Sequence, residues 1–155
     1  MKSIKSIFLL GVALFAMIGA QAQIDPIDKN GLAIGGYDVV AYFSGAAQKG
    51  SKSYMAKHNG ATYYFASKAN RDAFTKAPSN YLPQFDGYCA WGVAAKDTKF
   101  PINPETFDIV DGKLYLFYNG PFDGKTLDTS LDWGQRTTEL KKAAHAKWPK
   151  VKNSK

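Results

Sequence analysis

The stretch Tyr54-Met55-Ala56-Lys57-His58-Asn59-Gly60-Ala61-Thr62-Tyr63-Tyr64-Phe65 constrains the fold more than any other part of the chain. Asn-Gly between two alternating runs is the strongest local signal for a two-residue type I′ turn, because both turn residues must take positive φ. That turn sets the strand register. It opposes His58 to Ala61, Ala56 to Tyr63 and Tyr54 to Phe65 on one apolar face. Met55, Lys57, Thr62 and Tyr64 fall on the other, more polar face. His58 is thereby expected at the turn end of the sheet, directed toward the core.

The elements that follow are read from the same kinds of signal. Ser67 is well placed as the N-cap of a helix whose stripe holds Ala69, Ala73, Phe74 and Ala77, with Pro78 closing it. Asp111-Gly112 turns a second hairpin. Its register puts Phe107, Ile109, Leu114 and Leu116 on a buried face, and Asp108, Val110, Lys113 and Tyr115 on the other. A longer final helix, capped at Asp132 with Gln135 answering it, turns Trp133, Thr137, Leu140, Ala144 and Trp148 inward and ends at Pro149. The expected class is α+β: a small antiparallel sheet built from two hairpins, packed by a middle helix and a long C-terminal helix.

Length and leader bound the rest. Of the 155 residues, 1–22 read as a signal peptide and 23–155 as one domain. Lys2 and Lys5 precede a short apolar run over 7–18 and the small-x-small Ala20-Gln21-Ala22. The run is too short to cross a bilayer, so the mature chain is expected to be exported, periplasmic or extracellular, and not membrane-spanning. The net charge of +7 falls by two with the leader, and much of the remainder sits on lysines near the C-terminus. There they read as a solvated helix end complementing the dipole, and nucleic acid is not an expected partner of an exported protein. Cys89 is the single cysteine, which leaves no intrachain disulfide. The core must hold by burial, and three Trp, nine Tyr and the eight Phe that remain once Phe8 and Phe15 leave with the leader supply it.

Chemistry-bearing residues are few. The chain has no G-x-S-x-G, H-E-x-x-H, G-x-G-x-x-G or P-loop. Candidate metal donors of the mature chain are His58, His145, Cys89 and Met55, so a closed zinc site of Cys and His alone lacks a ligand. Cys89 is followed by Ala-Trp-Gly-Val, which does not suit a copper-binding loop. His145 lies off the apolar stripe beside Lys141 and Lys142 and reads as a solvated or boundary histidine. Two residues stay open. His58 either closes the core edge or acts as a ligand or proton carrier, and Cys89 is either a small buried hydrophobe or a functional thiol.

The run Tyr54…His58-Asn59-Gly60…Tyr63-Tyr64-Phe65-Ala66-Ser67…Phe74…Pro78…Tyr81 resembles the YHS-domain family. "GGYDVVAYF", "ASKANRDAF", "GYCAWGV" and "IVDGKLYLFYN" are similar to pieces of its exported branch, so the likeness spans about 35–148. YHS domains are described as heavy-metal-binding modules, and the resemblance implies a module holding a transition metal, copper or zinc, through His58 and Cys89. Tyr54, Tyr88 and Asp38 would support the site. The chain departs from the metal-associated members in carrying Ala66, and Ala69 or Asn70, where they have cysteines. Two alternatives stand beside this one. One is a thiol-based redox protein using Cys89, with Tyr88 and Trp91 shaping its pocket. The other is an aromatic-rich domain that binds a small ligand or a protein without catalysis. The readings that use Cys89 chemically need the His58 imidazole and the Cys89 sulfur brought together by folding.

Overall fold

The structure, a computed structural model, describes residues 23–154. The leader expected over 1–22 lies outside them. The α+β class is confirmed, with three antiparallel hairpins and four α-helices among the described residues, joined by short 3₁₀ turns. In chain order they are β1 (Ser51–His58), β2 (Ala61–Phe65), α1 (Lys68–Lys76), α2 (Ala90–Lys96), β3 (Asn103–Val110), β4 (Lys113–Phe117), β5 (Asn119–Phe122), β6 (Lys125–Asp128), α3 (Thr129–Gln135) and α4 (Thr137–Lys152). No helix among the described residues is long and apolar enough to cross a membrane.

The first hairpin turns where expected. Asn59 and Gly60 have φ of 47° and 82°, and His58 opposes Ala61 while Ala56 opposes Tyr63. The register then breaks: Phe65 faces Ser51 rather than Tyr54. Gly50 supplies the physical reason. Its N–H donates to the Gly36 carbonyl at 2.8 Å. It also lies so close to β2 that a Cβ there would sit 2.3 Å from the Tyr64 carbonyl carbon. The chain is drawn in at Gly50, the strand bulges, and Tyr54 is left on the surface instead of filling the core face.

The two expected hairpins do not join into one sheet; β1–β2, β3–β4 and β5–β6 each form their own two-stranded sheet. The far edge of β2 is already taken by the lead-in segment, where Ala33 N–H donates to the Thr62 carbonyl and Thr62 N–H to the Gly31 carbonyl. Such small sheets are marginal alone and depend on what they pack against. Phe74, the one fully buried residue of α1, fastens that helix to β2 through Tyr63 and Phe65, at ring centroid distances of 4.9 and 5.1 Å. Ala69, expected on the inward stripe, is exposed. β4 is buried on both faces, so Tyr115 packs on Trp133 at 5.1 Å rather than facing solvent.

Three further differences concern the C-terminal half. The hairpin β5–β6 was not expected, although Asp123-Gly124 carries the same turn signal as the other two, with φ of 50° and 72°. The long helix is broken at Arg136. Asp128, not Asp132, caps α3, its Oδ1 accepting from Ser130 N–H at 3.0 Å. Asp132 instead accepts from Arg136 and from the Trp91 indole N–H at 2.6 Å. Pro149 lies inside α4, which runs on to Lys152. One turn from the helix end, proline's missing N–H removes a single backbone bond while its fixed φ still suits the helix.

Glycine substitution separates close approach from turn geometry. Gly50→Ala forces backbone against backbone and lowers the unfolding free energy by about 2 kcal/mol or more. Gly112→Ala meets nothing within 4 Å and loses only the roughly 1–2 kcal/mol that an L-residue incurs in the left-handed region. Urea unfolding of the two variants checks the order.

Candidate functional site

The sequence-derived site residues occupy separate surroundings. Asp38 is fully buried, and both of its carboxylate oxygens are saturated by N–H donors. Oδ1 accepts from the backbone of Val40 and Ala41 at 2.8 and 3.3 Å. Oδ2 accepts from Ala66 N–H at 2.8 Å and the Asn70 side-chain amide at 2.7 Å. No lone pair is left for a metal, and the group is structural. Trp91 is likewise committed to Asp132, bridging α2 and α3. Tyr54 stands exposed on β1.

Cys89 has no exposed surface. Its Sγ lies 3.3 Å from Thr129 Oγ1, and that hydroxyl donates to the Tyr118 carbonyl at 2.9 Å. With the hydroxyl proton so used, the thiol is the donor to Thr129, which requires it to be protonated. Burial pushes its pKa up, against a smaller opposing effect of the Thr129 contact. A reactive cysteine needs access and a stabilised thiolate, and this one has neither.

His58 lies elsewhere. Its ring meets the edge of Phe74 at 5.9 Å, as befits the core-side placement read from the turn. The rest of the imidazole faces a cavity of about 300 Å³. Asn59, Tyr63, Asp86 and Lys152 contribute its polar wall, and Ile34 and Leu82 are among its apolar lining. Cys89 is not part of it. Among the described residues, neither the His58 ring nitrogens nor the Tyr63 hydroxyl has a hydrogen-bond partner. Burial foremost, and the charge of Asp86 next, hold the Tyr63 phenol above its ordinary pKa, so it stays protonated and able to donate.

The backbone around this cavity is strained. Ile34, a β-branched residue, has φ of 48°, and Phe85 and Asp86 follow one another at 57° and 51°. Such residues cost roughly 1–3 kcal/mol each and persist only where the surroundings over-determine them. Here Phe85 is locked among Tyr115, His145 and Trp148, with ring centroids 5.0 to 5.9 Å away. Gly87 packs so tightly that a Cβ would meet Ile34 Cδ1 and Pro26 Cβ at 3.0 Å. The strain turns the Asp86 side chain outward beside the cavity, where it pairs with Lys152 at 3.0 Å. His145 is exposed, as expected of a solvated or boundary side chain, and it leans on Phe85 with rings tilted by 59° while its Nε2 lies 3.1 Å from the Tyr115 hydroxyl.

A copper or zinc ion does not fit this arrangement. One imidazole and one paired carboxylate line the cavity, and no group of three or more His, Cys, Asp or Glu side chains gathers to hold a metal among the described residues. No family model, curated protein or solved structure matches the chain. The cavity was legible in the sequence only through His58. Asp86, Lys152 and Leu82 carried no local signal, because the 3₁₀ turn Gln84–Gly87 and the last turn of α4 meet only in three dimensions.

Two measurements follow from this geometry. Asp38→Ala strands N–H donors from two segments and destabilises the fold by about 3–5 kcal/mol in denaturant titration. Cys89 in the native protein is alkylated by iodoacetamide far more slowly than a free thiol at the same pH, and rapidly once urea unfolds the chain. Fast labelling of the folded protein would contradict the burial of its sulfur.

Proposed function

We propose that this chain is an exported, YHS-like binding module that takes a small ligand with an apolar body in the cavity beside His58, without catalysis. The observation that carries the reading is the pair of unpartnered polar groups, His58 and Tyr63, set over apolar walls. Ligand sites are typically concave and largely apolar, with a few convergent polar groups, and start at about 300 Å³. The strained turns on either side add support, since backbone strain gathers at ligand sites. The chemistry-bearing alternatives both enlist Cys89, and its buried, protonated thiol favours neither. The resemblance to the YHS family enters here as a likeness of the hairpin and its histidine. Tyr63 and His58 then act as hydrogen-bonding groups toward the ligand, with Phe74 holding the imidazole from behind.

Naphthaleneacetamide, a neutral two-ring probe with one polar end, tests this. Two-dimensional amide spectra of the mature protein are expected to shift at His58, Asn59 and Tyr63 in a saturable manner. Leu82→Trp, which fills the cavity from its rim, abolishes the shifts while leaving the rest of the spectrum in place. Shifts scattered over the surface, or unchanged by Leu82→Trp, would remove the cavity as the site.

A further inference from the structure

A second cavity of about 290 Å³ adjoins the first, and the two share Pro26, Ile27, Asp86 and Lys152 as walls. The Asp86–Lys152 ion pair therefore stands at their boundary. Beyond it, the second cavity adds Tyr88 and Lys99. Its wall thus carries two ammonium groups against one carboxylate. Burial foremost, and then the charges of Asp25 and Asp86, raise the Tyr88 phenol pKa, but Asp25 lines the neighbouring depression with Asp28 and Lys29 instead.

Both ammonium groups are positioned rather than loose. Lys99 Nζ lies 5.7 Å from the Tyr88 ring centroid and Lys152 Nζ 5.9 Å from that of Trp148, and these two rings pack against each other at 6.5 Å. Aromatic faces attract cations, so the ring pair fixes where the positive charge sits. Lys99 also donates to the Ser154 carbonyl at 2.7 Å, which uses one of its three protons. Among the described residues Asp86 is the one carboxylate that pairs with Lys152, and the two side chains are each 55% exposed. A pair so exposed is weak, and a carboxylate arriving from a ligand can replace Asp86 at little cost.

Resting on the ligand-binding reading above, we infer that the ligand is an amphipathic carboxylate, its apolar body beside His58 and Tyr63 and its charged end on Lys152 and Lys99. Either cavity alone is at the lower limit for a ligand site, whereas together they suit a molecule with a body and a head group. Asp86 then acts as an internal stand-in for the carboxylate when no ligand is bound. His58 and Tyr63 contact the part of the ligand nearest the hairpin turn.

Three probes with one apolar body separate the charge from the cavity: naphthaleneacetate, naphthaleneacetamide and naphthylethylamine, titrated calorimetrically into the mature protein. The acetate is expected to bind about tenfold more tightly than the amide, as charge-assisted hydrogen bonds require. Lys152→Met and Lys99→Met each lower the ratio of acetate to amide affinity, Lys152→Arg retains it, and Asp86→Asn enlarges it. Amide spectra of each variant confirm the fold. Equal affinity for acetate and amide, or a preference indifferent to both lysines, overturns the inference while leaving the cavity as a neutral-ligand site. Tighter binding of the amine overturns it as well, and failure of all three probes to bind removes the cavity reading together with it.

Discussion

A carboxylate with no exposed surface holds the N-terminal part of this molecule in place. Asp38 accepts from the backbone at 40 and 41 and from Ala66 and Asn70, so one side chain joins the loop before β1 to the junction of β2 and α1. A buried charge is tolerated only when its hydrogen bonds are complete, and here they are. The same short segment reaches the second hairpin. Tyr37 donates to Glu105 at 2.8 Å and Tyr42 to the Pro104 carbonyl at 2.6 Å. Three separate two-stranded sheets thereby become one packed body without sharing a ladder.

The cavity depends on that arrangement at one remove. Ile34 and Gly36 lie just before Asp38, and the left-handed turn there gives Ile34 a buried position against Gly87. On the opposite side, Phe85 is gripped by Tyr115, His145 and Trp148. Each anchor offsets the conformational cost of its turn by burying a large side chain. Among the described residues, His58 and Tyr63 are polar groups of the cavity wall that no internal hydrogen-bond partner reaches. Stability and an open site are compatible here because two of the three strained residues, Ile34 and Phe85, bury their side chains in the core.

Local chemistry made much of the fold readable. Asn59-Gly60 and Asp111-Gly112 fixed two hairpins, and Ser67 caps α1 with its hydroxyl accepting from Asn70 N–H at 3.1 Å. Asp123-Gly124 was equally legible and marks the third hairpin, but Pro121 and the short strands beside it hid the alternation. The bulge at Tyr54 was not legible, since it arises from Gly50 pressing on a strand fourteen positions away. The break between α3 and α4 was hidden for a related reason. Asp132 looks like a cap in sequence, yet Trp91 and Arg136 claim its carboxylate.

By itself, then, the sequence determined the turns, one helix cap, the α+β class and the direction in which His58 points, because each follows from interactions within a few residues. Tertiary structure alone decided what His58 faces, and it set Cys89 and Asp38 apart from it. Those two side chains are enclosed by partners from distant segments, Thr129 for the sulfur and Ala66 with Asn70 for the carboxylate. Whether a polar group serves the fold or stays free for a ligand depends on who satisfies its hydrogen bonds. That is settled by long-range packing, on which local residue patterns are silent.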